Sequence, residues 1–219
     1  MELNIIHSDS DGNCCVLTDK NGNQLLLDCG LDFEQIIPHI NFNKLDALML
    51  THSHQDHSLS KKKFEKFYIH IFDTTNVKDN AQIALNNWII IPMKLLHNVP
   101  CFGYLIYSRN EKKKVAYITD TTYIPKMGKV DCLICDCNYD MAIVDALAKT
   151  DNPAKTGYKN HLSIQAVEMY IKELPYTLSC FVAYHLSNSG LINVKKVEET
   201  FAPLVEKLVI AKPNTKVEI

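Results

Sequence analysis

Thr51-His52-Ser53-His54-Gln55-Asp56-His57 follows directly on the apolar run Leu48-Met49-Leu50. Three histidines and one aspartate fall within six positions, and ordinary packing does not account for them. Neutral imidazoles and carboxylates are the ligand set of zinc and related divalent cations. Four such groups crowded at the end of a strand are costly to bury unless something binds them.

Working outward, other chemically capable residues recur at the same kind of place. Asp28 ends Leu25-Leu26-Leu27, and His97 follows Met93-Lys94-Leu95-Leu96. Asp120 ends Val115-Ala116-Tyr117-Ile118-Thr119, and His185 ends Phe181-Val182-Ala183-Tyr184. Each apolar run reads as a strand. Each of these residues therefore sits just past a strand's C-terminal end, the edge at which parallel-type sheets carry functional groups. One alone would be a turn or cap residue; arriving together they are hard to dismiss.

The remaining pattern fills in around them. Strands are expected at residues 3–6, 14–18, 24–28, 45–50, 88–92, 102–107, 115–119, 132–135 and 178–184, with hairpin chemistry in Asn21-Gly22-Asn23. Helical periodicity marks residues 33–40, 140–149, 163–174 and 193–201. In the third of these, Ile164, Val167, Ile171 and Leu174 share a face, and Ser163 suits an N-cap. Lys112-Lys113-Lys114 is expected in a hairpin turn. There is no internal repeat, low-complexity segment or Pro/Gly-rich linker. Strands followed by helices, twice over, predict a layered α/β architecture in one domain spanning residues 1–219.

Composition narrows the function classes. Hydrophobic residues at 47% and charged residues at 22% describe a soluble globular chain, and no apolar stretch is long enough to span a bilayer. Met1-Glu2-Leu3-Asn4 has no basic signal region, so a cytoplasmic location is expected. The eight cysteines are then expected as reduced thiols. A net charge of −2 argues against coating nucleic acid by bulk charge, although a local basic strip is compatible with it. Arg109 is the only arginine, so bidentate clamps on phosphate are nearly absent and metal ions would have to do that work.

The order Asp28, Thr51-His-x-His-x-Asp-His57, His97, Asp120, His185 resembles the metallo-β-lactamase-fold hydrolases, over nearly the whole chain. Within them it is most similar to the YycJ/WalJ-like branch, related to the RNase Z phosphodiesterases. That likeness rests on Ser8-Asp9-Ser10-Asp11-Gly12-Asn13-Cys14, Cys137-Asn138-Tyr139-Asp140, His161-Leu162-Ser163 and His185-Leu186-Ser187. The resemblance implies a four-layer αββα sandwich, two mixed sheets flanked by helices, with a dinuclear centre. It implies that His52, His54 and His97 bind one metal, that Asp56, His57 and His185 bind the other, and that Asp120 bridges both. Asp28 stands behind them and orients an imidazole. The implied nucleophile is a hydroxide between the metals, oriented by Asp56. Zinc is expected, with manganese admitted by the hard donors Asp56 and Asp120. His161 matches the histidine that assists the leaving group in RNase Z-type relatives, and with Ser163 it is expected on the substrate phosphate at a helix N-terminus. Read from its own position, His161 fits a helix-entry residue equally well. Glycines common in relatives after His57 and Asp120 and before His161 are replaced here by Ser58, Thr121 and Asn160.

Other residues receive blander readings. His7, His39 and His70 match no motif. Cys132-x-x-Cys135-x-Cys137 reads as strand core rather than a zinc site, because no fourth ligand is evident. Lys61-Lys62-Lys63 with Lys66 reads as a solvated helix face or a guide for a polyanion. The expected activity is hydrolysis of a phosphodiester by a nuclease or exonuclease, with a nucleic acid or nucleotide as partner, no membrane, and a homodimer as one open assembly. The alternatives are a small cyclic-nucleotide phosphodiesterase, a thioester or lactone hydrolase, and a metal-stabilised interaction module without catalysis.

Overall fold

The strands form where apolar residues alternate or run unbroken. In the computed structural model, which describes residues 1–149 and 158–219, the first half runs β1 (Glu2–Asp9), β2 (Gly12–Thr18), β3 (Gln24–Leu27), α1 (Phe33–Ile36), β4 (Leu45–Met49), α2 (Gln55–Ser58), α3 (Lys61–Phe64) and β5 (His70–Phe72). The second half runs β6 (Ile83–Leu85), β7 (Trp88–Leu95), β8 (Cys101–Ser108), β9 (Lys113–Ile118), β10 (Cys132–Asp136), α4 (Met141–Leu147), α5 (Ile164–Lys172), β11 (Cys180–Tyr184), α6 (Val194–Phe201), β12 (Leu208–Ile210) and β13 (Thr215–Glu218).

Two mixed sheets result. One has six strands in the order β13-β1-β2-β3-β4-β5, the other seven in the order β12-β11-β10-β9-β8-β7-β6. Leu17, Leu25, Trp88, Tyr104, Ile134 and Val182 pack in one core, drawing on the inward faces of both sheets. Phe64 and Ile36 cover the outer face of the first sheet, and Val167, Ile171, Val197 and Phe201 that of the second. This is the expected αββα layering. β10 and β11, with parallel neighbours and helices outside, are buried at every position, as their unbroken apolar sequence requires. Side-chain caps set the helix starts: Ser163 accepts from Ala166 N, Asp140 from Ala142 N and Asn193 from Lys195 N.

Within each sheet the strands that lead into the predicted site run the same way. β3 and β4 are parallel, β9, β10 and β11 are parallel, and β7 shares their direction through two antiparallel steps. Their C-terminal ends therefore share one edge of each sheet.

Three expectations are corrected. Residues 33–40 do not form one helix: α1 gives way to a 3-10 turn over Ile37–His39, because Pro38 has no N–H to donate and its ring crowds the preceding turn. Lys113 and Lys114 are not in a turn; they open β9, paired with Ser108 and Tyr107, and only Lys112 (φ 56°) lies in the bend. The strand expected at 88–92 continues to Leu95 through Pro92. β6 pairs only as far as Ile90, so Pro92 lies on an edge where no ladder needs its missing N–H.

Candidate metal centre

Asp28 organises the approach to the site. It follows β3 in the left-handed region (φ 57°) and is fully buried. Its carboxylate accepts from Thr51 N (2.8 Å), Thr51 Oγ1 (3.0 Å), Tyr117 OH (2.8 Å) and His57 Nδ1 (2.8 Å). One side chain thus ties β3, β9 and the segment after β4. With Nδ1–H held by Asp28, His57 is left to present Nε2 to the site. Asp56 and His57 lie on α2, which is seated by Cys29 N donating to His57 O (2.8 Å). A Cβ on Gly30 would lie 1.6 Å from Asp56 O, so only glycine permits this approach.

The predicted residues converge in two groups. His52, His54 and His97 bring ligand atoms within 4.8 Å of one another, as do Asp56, His57 and His185. In the first, His54 Nδ1 lies 3.3 Å from His97 Nε2. Thr51 Oγ1 engages His52 Nδ1 at 3.0 Å and leaves His52 Nε2 buried, with no hydrogen-bond partner among the described residues. In the second, Asp56 Oδ2 lies 3.3 Å from His57 Nε2 and 3.6 Å from His185 Nε2. His185 Nε2 is likewise buried without a hydrogen bond, while its Nδ1 sits 3.2 Å from the Asn138 amide. Asp120 stands between the groups. Its Oδ2 is 3.1 Å from His57 Nε2 and its Oδ1 3.6 Å from His185 Nε2, and it also forms a triple with His52 and His57. Asp120 (φ 55°) and His185 (φ 51°) share the left-handed backbone of Asp28. Such strain persists where the surroundings hold it; here Thr119 Oγ1 holds Asp120 Oδ2 (2.7 Å) and Ser8 Oγ holds His185 N (2.8 Å).

Charge divides the groups as geometry does. Burial holds His52 down at about 2 and His97 at about 4, so both are neutral donors. Burial opposes protonation of His57 and His185 too, but the carboxylates outweigh it: Asp120 and Asp28 push His57 up, and Asp120 with Asp56 raises His185 to about 9. Burial also opposes ionisation of Asp56 and Asp120. It is overcome at Asp56 by His185 and His57, at Asp120 by the same two, and both carboxyls end well below their usual range. The protons that these carboxylates draw onto His57 and His185 are positive charge that a divalent cation would replace.

His161 lies beside this arrangement. Its Nδ1 is 3.0 Å from Asp136 Oδ2 and 3.8 Å from Asp120 Oδ1, and its ring stacks on His185 with centroids 5.0 Å apart. Burial works against its protonated form, and Asp136 more than compensates, raising its pKa. Ser163 caps α5 as expected, its buried hydroxyl accepting from Ala166 N (3.0 Å).

Asp136 was not anticipated, and Asn13 and Asn138, although part of the strings that carry the resemblance, were given no role in the site. Asp136 ends β10 by the same strand-end rule that singled out Asp120, but the surrounding thiols drew the reading of that segment. Asn13 is fully buried, with Nδ2 3.0 Å from His57 Nε2 and 2.8 Å from Asp9 O. His7, His39 and His70 belong to none of the ligand triples among the described residues. The eight cysteines are buried free thiols. Lys61 pairs with Asp73 (2.6 Å) and Lys63 with Glu34 (2.9 Å), so much of the lysine run is neutralised locally.

The donor set fits divalent-cation binding. Zinc–nitrogen bonds of about 2.0–2.1 Å in tetrahedral geometry separate two ligands by roughly 3.3–3.4 Å. The 3.3 Å spacings of His54 with His97 and of Asp56 with His57 match that edge, and His52 Nε2 is a buried nitrogen without a hydrogen bond among the described residues, as a metal ligand would be.

No protein-family model matches the chain, and no curated protein matches it. Solved structures do match. The metallo-β-lactamase fold protein YhfI from Bacillus subtilis aligns over 100% of this chain and 99% of its own, with a TM-score of 0.74 at 16% identity. The short form of human tRNase Z aligns over 100% and 99%, with a TM-score of 0.62 at 13% identity. A diphosphatase of the PhnP family aligns over 100% and 97%, with a TM-score of 0.64 at 18% identity. What is shared at these identities is architecture: the chain has the metallo-β-lactamase fold.

Proposed function

We propose that this chain is a hydrolase of phosphodiesters in nucleic acid or nucleotides, working with two divalent cations. The observation that carries the reading is the placement of two ligand triples on either side of the Asp120 carboxylate, with the His161–Asp136 pair at their rim. His52, His54 and His97 would hold one cation, Asp56, His57 and His185 the other, and Asp120 both. Zinc suits the imidazole-rich first group, and the carboxylates of the second admit manganese. When bound, the pair supplies Lewis acidity and a water made acidic near neutral pH.

The chain's own residues supply the rest. Asp28 fixes the ring of His57. Asp56, with its side chain a quarter exposed, can reach and orient the attacking water. Asp136 holds His161 Nδ1, so Nε2 would be the nitrogen that hands its proton to the departing oxygen. Nuclease activity, and an exonuclease as in the YycJ-like branch, is the finer reading. Its supports are the local sequence likeness and the fold shared with proteins named as a tRNase and a diphosphatase.

The test is a substrate panel with metal analysis. Purified protein should carry close to two zinc or manganese ions and hydrolyse bis(p-nitrophenyl) phosphate and at least one of single-stranded DNA, single-stranded RNA or a cyclic nucleotide. Asp56→Ala should lose about 100-fold or more in kcat, and His161→Ala should lose most on substrates with poor leaving groups. Turnover of a thioester or lactone with none of any phosphodiester would overturn the proposal.

A further inference from the structure

A groove of about 240 Å³ lies between the segment after Asp120 and helix α5. Tyr123, Ile124, Leu162, Met169, Tyr170 and Glu173 line it. Tyr123 is 44% exposed and Met169 61%, a large apolar presentation for residues that no neighbouring element covers. The proposed chemistry uses none of these side chains.

Both walls are anchored to the candidate metal centre. On one side, Thr121 follows Asp120 directly and is fully buried. Its Oγ1 donates to Tyr123 O (3.0 Å) and accepts from Tyr123 N and Leu96 N (3.3 Å each), while Thr122 N donates to Leu96 O (3.3 Å). Tyr123 is therefore fixed relative to both Asp120 and the segment that carries His97. On the other side, Leu162 follows His161, and the Ser163 cap and the bond from Ile164 N to Tyr139 O (2.8 Å) hold the start of α5. The groove is thus built on the two segments that carry Asp120 and His161.

Its chemistry excludes the phosphate itself. The only charged residue among those described in the lining is Glu173, which repels an anion. Two tyrosine rings and a thioether offer flat, polarisable faces, and a carboxylate at one end offers an acceptor to N–H groups on a ring edge. That combination suits a neutral planar heteroaromatic ring rather than an aliphatic chain, which would gain nothing from the carboxylate.

We propose that this groove is the subsite for the nucleobase attached on the leaving-group side of the scissile phosphate, with Tyr123 and Met169 as its specificity-determining walls. The assignment rests on the phosphodiesterase reading and on His161 serving the leaving oxygen. Stacking of one base on an aromatic side chain is worth about 5- to 150-fold in affinity.

Three dinucleotide phosphodiesters test it: one with both bases, one abasic on the leaving-group side and one abasic on the other side. Metal-loaded wild type should prefer the first over the second by about 10-fold or more in kcat/KM, and Tyr123→Ala and Met169→Ala should each bring that ratio towards one. Hydrolysis of all three without discrimination, or with discrimination only on the opposite side, overturns the subsite while leaving the phosphodiesterase reading intact. Hydrolysis of none overturns the phosphodiesterase reading only where bis(p-nitrophenyl) phosphate, longer single strands and cyclic nucleotides are left intact as well. The groove is then settled by the NMR signal of a 13C-labelled Met169 methyl, which adenosine should shift in wild type and not in Tyr123→Ala. A shift produced by a short-chain acyl thioester and not by adenosine assigns the groove to an acyl group and overturns the nucleobase.

Discussion

Asp28 shows how a residue outside every ligand triple can decide what the triples do. Its four donors come from Thr51, Tyr117 and His57, so its carboxylate fixes the ring that presents Nε2 to Asp56 and Asp120. Partners of this kind alter metal affinity about 10–100-fold. Asp28→Asn keeps the volume and removes the charge. It should weaken the position proposed at Asp56, His57 and His185 by that factor in a competitive chelator titration, and weaken the one proposed at His52, His54 and His97 less, because only Thr51 links Asp28 to His52. Equal weakening of both, or of neither, would show that Asp28 does not act through His57. The strand-end pattern made Asp28 and the seven proposed ligands legible in the sequence, because chemically costly residues stood where apolar runs stopped. Asp136 and Asn13 were not legible. Asp136 sits among cysteines that mask it, and Asn13 lies inside a strand rather than past its end, so the strand-end rule passes over it although it stands in the string that carried the resemblance.

The elements that escaped the sequence have a common place. β5, β6, β12 and β13 are the outermost strands of the two sheets, three or four residues long and mostly part-exposed. A strand paired on one side needs neither a continuous apolar run nor strict alternation, so periodicity does not mark it. α2, four residues long, is too short to show a helical period and forms because tertiary contacts hold it, whereas α3 falls on the lysine run already read as a helix face. Gly30 is one such contact. Gly30→Ala places a Cβ against the backbone of Asp56, so it should destabilise the fold by about 1–3 kcal/mol in urea unfolding and lower the bound metal per chain. Unchanged metal content would show that α2 can move without disturbing the ligands. The turn after β2 offers a contrasting element far from catalysis. Burial pushes the Asp19 carboxyl up, but hydrogen bonds from Asn23, Asn21 and Asn110 outweigh it and leave its pKa below the ordinary value. A lowered folded pKa means that Asp19 stabilises the fold above the unfolded value of about 3.9 and that this contribution fades as pH falls through the folded pKa. The stability difference between wild type and Asp19→Asn should therefore be constant from pH 5 to 7 and shrink below about 4. A difference that grows on acidification would contradict that assignment.

At the scale of the molecule, the two sheets repeat one plan. β1 to β5 pair antiparallel, antiparallel, parallel, parallel, and β7 to β11 do the same. Asp28 and Asp120 each follow the third strand of their series, at φ 57° and 55°. The sequence shows no repeat because such a plan is kept by burial pattern and turn geometry, which many residue choices satisfy. The plan has an energetic consequence. His52, His54, Asp56 and His57 come from the first sheet, and His97, Asp120 and His185 from the second, so each proposed cation would be held by both. Bound ions would then staple the sandwich along its edge, and the stabilisation would follow mass action, about 2.7 kcal/mol for one site at a free concentration 100 times its dissociation constant. For a chain of this size that corresponds to a midpoint shift of about 5–10 °C. Trp88, the only tryptophan, is buried in the core between the sheets and reports their separation by its fluorescence. Chelation should lower the thermal midpoint read at Trp88 by about that amount for each ion removed, and zinc or manganese should restore it. His54→Ala and His97→Ala, on opposite sheets, should each remove a similar share of the metal-dependent shift. A shift abolished by one and untouched by the other would mean that the ion is held by a single sheet, and the staple would be wrong even if the hydrolase reading survived.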